Sequence, residues 1–168
     1  MNKRRLLIAL ILLLTVSCGE NKTEKIYEEE LMNLKINGYD DSKQLSKNDI
    51  KEIKKMLKKN FKNLGVTAVT KDGRFFISKY VTNPKNKEQT AKEVAIERPD
   101  IIDTIGEWCK SKGIKFKVIF VAFFDKEQDK RISQSMHHSH ILEIEYEDKD
   151  YKKALQEGFS KYARATRF

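Results

Sequence analysis

Residues 114–124 constrain the fold of this chain more than any other segment, because their side chains are apolar on both faces of an extended strand. One set of alternate positions holds Ile114, Phe116, Val118, Phe120, Ala122 and Phe124, and the other set holds Ile119, Val121 and Phe123. Successive side chains of a strand point to opposite faces of its sheet. The segment therefore predicts a central strand whose second half is covered on both faces by other elements.

The residues before this strand predict a helix followed by a β-hairpin. Ser46 and Asp49 have the spacing of a capping box, and apolar residues then recur at helical spacing until Gly65. These apolar positions are Ile50, Ile53, Leu57, Phe61 and Leu64. Residues 66–70 and 74–82 are rich in β-branched and aromatic side chains, and Asp72-Gly73 between them is typical of a tight hairpin turn.

A second helix is predicted to begin at Pro99 and to end before Gly113. The charged segment before it, residues 87–97, is compatible with either a helix or a long exposed loop. After the central strand we expect one more strand, over residues 133–147, and then a last amphipathic helix. That helix is marked by Tyr151, Ala154, Leu155, Phe159 and Tyr162.

This order of elements predicts an α+β domain, with an antiparallel sheet of about four strands and amphipathic helices packed mainly on one face. We expect residues 1–17 to be a signal peptide, residues 18–44 a lipid-anchored acidic tether, and residues 45–168 a single α+β domain. The acidic character of the tether comes from Glu20, Glu24, Glu28, Glu29 and Glu30.

The signal peptide is predicted from a basic start and a short apolar stretch. Lys3, Arg4 and Arg5 precede residues 6–16, which are too short to span a bilayer as a helix because that takes about 20 residues. Removal of these three basic residues would lower the net charge of the chain from +9 to +6.

The segment Leu14-Thr15-Val16-Ser17-Cys18 resembles the lipobox of bacterial lipoproteins, which carry a cysteine directly after the cleavage site. Thr15 departs from the aliphatic residue usual at its place, whereas Ser17 and Cys18 fit. The resemblance implies that Cys18 receives a covalent lipid, such as palmitate, that anchors the protein in the cell envelope. Gly19 after the cysteine, where no aspartate stands, implies the outer membrane in a host that has one.

Cys109 is the second cysteine of the chain, so a lipid on Cys18 excludes an internal disulfide. Cys109 falls within the helical apolar pattern of Ile101, Ile105 and Trp108. This setting indicates a buried, small, apolar side chain, since a catalytic thiolate needs an accessible and electropositive place.

Six lysines recur every three or four residues along the first predicted helix, so they share the face opposite its apolar residues. They are Lys51, Lys54, Lys55, Lys58, Lys59 and Lys62. Such a lysine face attracts lipid phosphates, anionic glycans or an acidic protein. The alternative interpretation is a solvated face of a packed helix. Nucleic acid is not expected as a partner, because an exported protein seldom meets it and no recognition motif is present.

All three histidines lie in the segment His137-His138-Ser139-His140. On a strand, His138 and His140 share a face, and two imidazoles at that spacing can hold a zinc or copper ion together with a ligand from another segment. Met136 beside them offers a soft sulfur ligand for copper. The alternative interpretation is a polar strand end at the rim of the sheet.

The chain carries no Gly-x-Ser-x-Gly elbow, phosphate loop, His-Glu-x-x-His helix or Cys-x-x-Cys pair. We therefore expect a lipid-anchored envelope protein that is not an enzyme and acts as a binding or adaptor module. Its expected partners are the membrane and either an envelope protein or an anionic surface. The alternative from another class is a metal- or small-ligand-binding protein that uses His137, His138 and His140.

Overall fold

A computed structural model describes residues 20–34, 43–138 and 141–146. For residues 20–22, 137–138 and 141–146 it describes the backbone alone. Three helices and five strands follow one another within this part of the chain. The helices are α1 (Glu20–Asn33), α2 (Lys47–Asn60) and α3 (Lys87–Ser111), and the strands are β1 (Leu64–Val69), β2 (Arg74–Tyr80), β3 (Val118–Asp125), β4 (Lys130–His138) and β5 (Ile141–Tyr146).

The strands form one sheet in the order β1-β2-β3-β4-β5, which confirms the predicted α+β class. All neighbouring strands are antiparallel except β2 and β3, which run parallel. A parallel pair needs a crossover of about a dozen residues or more, and α3 supplies it. The sheet is therefore mixed rather than wholly antiparallel, and the single strand predicted over residues 133–147 is the antiparallel pair β4 and β5.

The central strand predicted from the alternating apolar pattern is β3, which is buried along all eight of its residues. Ile119, Val121 and Phe123 join a large core cluster with α2 and α3, whereas Val118 and Phe120 join a smaller one with α1. The predicted alternation of side chains between the two faces does not hold for the residues before β3. Residues 112–117 form a loop, and this loop returns Ile114 and Phe116 to the large cluster.

The helices cover opposite faces of the sheet. Both α2 and α3 pack on the large cluster. In contrast, α1 packs on the other face, where the rings of Tyr27 and Phe76 stack with their centroids 4.4 Å apart. Tyr27 and Leu31, one helical turn apart, are 3% and 1% exposed. Residues 23–34, which the sequence predicted to be part of the tether, therefore pack against the sheet.

The capping box predicted at the start of α2 is present. Asp49 N donates to the Ser46 hydroxyl over 3.1 Å, and Ser46 N donates to the Asp49 carboxylate over 3.0 Å. The helix ends at Asn60 rather than near Gly65, because the chain reverses at Asn63 (φ +57°) and Leu64 already pairs with Lys79 of β2.

Residues 87–97, for which the sequence allowed either a helix or an exposed loop, form the first part of the long helix α3. Asn86 caps the helix by accepting a hydrogen bond from Gln89 N over 3.0 Å. Pro99 lies in the helix interior instead of beginning it, which corrects the predicted start. Pro99 has no N–H to donate, but buried Ala91 and Val94 hold the preceding turns on the large cluster.

The sheet has two ends, and we name each by its main feature. At the hairpin end, the β1–β2 turn meets the start of α2, since Leu45 N donates to Lys71 O over 2.7 Å. Lys117 N donates to Gly73 O over 2.7 Å at the same end. At the groove end, a groove of about 830 Å3 opens between Thr23 and Glu24 of α1 and residues 63–66, 80–82 and 125–127.

The signal peptide, Cys18 and the last predicted helix lie outside the described residues. No helix in the part of the chain that the structure describes is long and apolar enough to cross a membrane.

Candidate functional site

The lysine face lies on the outer side of α2. The inner side of this helix is fixed by Ile53 and Leu57, both fully buried in the large cluster. Of the six lysines, Lys54 is half-buried and the others are exposed: Lys51, Lys55, Lys58, Lys59 and Lys62. Lys62 follows the end of α2 at Asn60, which corrects its predicted place on the helix face. The structure therefore presents a row of ammonium groups to solvent along the whole length of α2.

Lys54 is bound from within the domain by the acidic side of α1. Its Nζ atom lies 2.9 Å from Glu24 Oε2 and 2.9 Å from Glu28 Oε1. Burial lowers the pKa of Lys54, but the hydrogen bonds with Glu28 and Glu24 outweigh this effect and hold the pKa above its usual value. Lys54 is thus neutralised locally and serves to attach α1 to α2.

The exposed lysines differ in how far they are neutralised. Lys58 Nζ lies 4.0 Å from the Glu24 carboxylate, at the margin of an ion pair. Lys51, Lys55 and Lys59 form no ion pair with any residue in the described part of the chain. Their ammonium groups are strongly hydrated point charges on flexible stems, which suits attraction to a dense anionic surface better than recognition of one oriented phosphate.

The lysine face extends from one end of the sheet to the other. Helix α2 starts at the hairpin end and finishes at the groove end, where Tyr80 N donates to Asn63 O over 2.9 Å. Helix α1 runs the opposite way, since Glu24 lines the groove and the carbonyl of Leu34 lies near β2 at the hairpin end. Lys59 and Lys62 consequently lie toward the groove end, and Lys51 lies toward the hairpin end.

The carboxyl end of α1 is capped by a buried arginine. The Nη1 group of Arg74 donates to Leu31 O and, over 2.6 Å, to Leu34 O. Asp72 orients this guanidinium, accepting from Arg74 Nε over 2.8 Å. A cation at this place satisfies carbonyls that have no partner within the helix and interacts favourably with the helix dipole.

The Asp72 carboxylate is shared between Arg74 and Lys117, whose Nζ atom lies 3.1 Å away. Burial raises the pKa of Asp72, but hydrogen bonds from Thr70 and Lys117 and the charge of Arg74 outweigh it and hold the pKa below its usual value. The cap on α1 therefore includes a carboxylate that stays ionised well into the acid range.

The groove end is braced by a buried lysine of β2. Lys79 is 2% exposed, and its Nζ atom lies 3.0 Å from Glu97 and 3.4 Å from Glu93 of α3. The same atom donates to Lys62 O over 2.8 Å. Burial lowers the pKa of Lys79, and the charge of Glu93 opposes that shift. These contacts tie the end of the lysine face to both the sheet and α3.

Cys109 is 1% exposed, and burial raises the pKa of its thiol to about 12. The thiol is therefore protonated at neutral pH, which confirms the interpretation of Cys109 as a buried apolar side chain. The predicted lipid site, Cys18, lies outside the described residues.

The predicted histidine cluster is described only in part. His137 and His138 end β4 and pair in the sheet register with Leu142 and Ile141. The side chains of these two histidines, and the whole of His140, lie outside the described residues. Among the side chains that are described, no three of His, Cys, Asp and Glu are placed to hold a metal ion.

Sequence reasoning missed the residues that position the lysine face. Glu24 and Glu28 have the same four-residue spacing as Lys54 and Lys58, and this match was the available signal that α1 and α2 meet. Arg74 gave no comparable signal, because its role as a cap depends on a helix 40 residues earlier in the chain.

The chain matches no protein family, no curated protein sequence and no solved structure.

Proposed function

We propose that this chain is a lipid-anchored protein of the bacterial cell envelope, that it acts as a non-enzymatic binding module, and that its lysine face binds an anionic surface. The proposed binding of an anionic surface rests on a difference among the lysines of α2. Lys54 is neutralised by Glu24 and Glu28, whereas Lys51, Lys55 and Lys59 are exposed and form no ion pair with any described residue.

The energy available from such a face is moderate and depends on salt. Each lysine close to an anionic membrane contributes on the order of 1 kcal/mol. Charges exposed to solvent are screened over about 8 to 10 Å at physiological ionic strength. Binding through the lysine face alone is therefore expected to be weak and reversible.

The lipid on Cys18 supplies the second part of the attachment. Each buried methylene of an acyl chain contributes about 0.8 kcal/mol, so two or three chains hold a protein on a membrane durably. Stable anchoring generally combines two signals, such as an acyl chain and a basic surface. The proposed anchor and the lysine face are complementary in this sense.

Fractionation of cells tests the anchor. The variant Cys18→Ser should leave the membrane fraction, because no lipid can then be attached. The matched control is Cys109→Ala, which removes the other cysteine and should leave the protein membrane-bound. Retention of Cys18→Ser in membranes after a carbonate wash would contradict the proposed lipid anchor.

Vesicle binding tests the lysine face separately from the anchor. The protein is the mature chain, residues 18–168, with Cys18→Ser, and the vesicles contain phosphatidylcholine with or without phosphatidylglycerol. The triple variant K55Q/K59Q/K62Q should bind the anionic vesicles at least about 10-fold more weakly, because it removes three exposed ammonium groups.

The matched control for this experiment is K71Q/K110Q/K115Q, which removes the same charge from exposed lysines elsewhere on the domain. We expect this control to lose much less affinity than the lysine-face variant. Equal losses for the two triple variants would show that net charge alone attracts the vesicles, and the lysine face would then not be a site.

A further inference from the structure

We infer that the groove end of the domain faces the membrane in which the protein is anchored, and that the anionic headgroups of that leaflet are the partner of the basic residues at this end. This inference rests on the proposed lipid anchor at Cys18. It goes further by assigning the source of the anionic surface and the orientation of the domain.

The first argument is the shortness of the connection between the proposed anchor and the domain. Helix α1 begins at Glu20, so Gly19 alone separates it from Cys18. Two residues reach at most about 7 Å, and one helical turn from Glu20 to Glu24 adds about 6 Å. Glu24 lines the groove and lies 4.0 Å from Lys58 Nζ. The lipid is thereby confined to the neighbourhood of the groove end.

The second argument is that α1 is held firmly along its length. Glu24 and Glu28 bind Lys54 near its start, and Tyr27 stacks on Phe76 in its middle. Arg74 caps its final carbonyls. A helix fixed in this way transmits the position of its first residue to the whole domain, whereas an extended tether of the same length would leave the domain free to rotate.

The third argument is the charge of the groove end. Lys58, Lys59 and Lys62 finish the lysine face there, and Lys126 follows β3 with its ammonium 5.6 Å from the centre of the Tyr80 ring. The same turn carries the acids Asp125, Glu127 and Asp129 together with Lys130, and Glu127 lies 3.3 Å from Lys85. This end, where α1 begins, therefore presents an excess of positive charge.

The hairpin end lies too far away to make the same contact. Helix α1 has 14 residues and runs between the two ends, so it separates them by about 20 Å. This distance is about twice the Debye length at physiological salt. Exposed lysines at the hairpin end, such as Lys71 and Lys115, consequently contribute little to attraction toward the anchoring membrane.

The experiment uses the lipidated mature protein reconstituted into vesicles, with Cys109→Ala as background and a single fluorescent label. One protein carries the label at Asn60→Cys, near the groove end, and the other at Gln44→Cys, next to the hairpin end. Both positions are exposed and uncharged, so neither label removes a lysine. Lipids with a nitroxide quencher on the headgroup report which label lies near the bilayer.

We expect quenching of the Asn60 label to be several times stronger than quenching of the Gln44 label. Replacement of phosphatidylglycerol by phosphatidylcholine should weaken quenching at Asn60, because the zwitterionic surface then carries no net negative charge to attract the lysines. Equal quenching at the two positions, or stronger quenching at Gln44, would overturn the inferred orientation. Unchanged quenching at Asn60 without anionic lipid would overturn the assignment of the headgroups as the partner.

Flotation of the vesicles separates this inference from the proposed anchor. Protein that fails to float with the vesicles contradicts the anchor itself, and with it the inference. Protein that floats but shows equal quenching of the two labels leaves the anchor intact and contradicts the orientation alone.

Discussion

The two faces of the sheet are covered in different ways. The face under α2 and α3 is held by apolar burial from many segments, with residues such as Ile53, Leu57 and Ile105 fully buried. The face under α1 is covered in part by one helix that buries Tyr27 and Leu31 and is clamped at its ends by charged groups. The first kind of cover depends little on pH and salt, whereas the second depends on both.

The largest expected effect is a cavity in the face under α2 and α3. Ile105→Ala should lower the free energy of unfolding by about 4 kcal/mol, because the lost side chain is fully buried and leaves a void. Urea denaturation of residues 18–168 with Cys18→Ser measures this change. The control Ile96→Ala lies on the same helix at a position that is 49% exposed and should change stability by less than about 0.5 kcal/mol.

A smaller effect is expected on the face under α1. Tyr27→Ala removes the ring that stacks on Phe76, and we expect a loss of about 3 kcal/mol, because α1 can detach without unfolding of the remaining sheet. Hydrogen exchange should accelerate at the amides of α1 and stay slow in β3. Equal acceleration in both elements would show that the two faces form one cooperative unit. The proposed difference in stability between the two faces would then be wrong.

Variants of Arg74 test whether its charge at the end of α1 stabilises the cover on this face of the sheet. Arg74→Met keeps the apolar stem but leaves the carbonyls of Leu31 and Leu34 without their donor, so we expect a loss of about 2 kcal/mol. Arg74→Lys should recover part of this loss, since it restores the charge without the forked geometry. A loss for Arg74→Met no greater than that for Arg74→Lys would mean that the charge at the helix end contributes nothing.

The smallest expected effect is a change in pH dependence. Because the folded-state pKa of Asp72 lies below its unfolded value of about 4, its contribution is complete above pH 4 and is lost as the pH falls through the folded pKa. Asp72→Asn should therefore be less stable by about 1 kcal/mol at neutral pH, with the difference shrinking in acid. Urea titrations at neutral and acid pH measure both values. A difference independent of pH would contradict the role assigned to this carboxylate.

Local signals in the sequence predicted the elements that depend on neighbours along the chain. The capping box of Ser46 and Asp49 and the Asp72-Gly73 hairpin are confirmed, because a cap or a turn is formed by residues three or four positions apart. The alternation in β3 likewise gave the correct faces for Val118 and Ile119, since the period of a strand is fixed by its backbone.

The interpretations that failed depended on contacts distant in sequence. The acidic residues of α1 suggested a tether, because their partner Lys54 follows Glu24 by 30 residues. Pro99 suggested a helix start, because the apolar contacts that hold Ala91 and Val94 on the sheet are tertiary. The lysine face was predicted by its spacing, but only the structure shows that Lys54 is bound by Glu24 and that the face runs from the hairpin end to the groove end.

The long separation between α1 and its docking partners has a kinetic consequence. Helix α1 is synthesised first, yet its cap arrives with Arg74, which lies 43 residues after Leu31. Closing a loop of this length costs entropy before any contact stabilises it, so α1 should dock after the rest of the sheet has formed. In stopped-flow experiments we expect Tyr27→Ala to accelerate unfolding while leaving the folding rate nearly unchanged, as for a contact absent from the transition state.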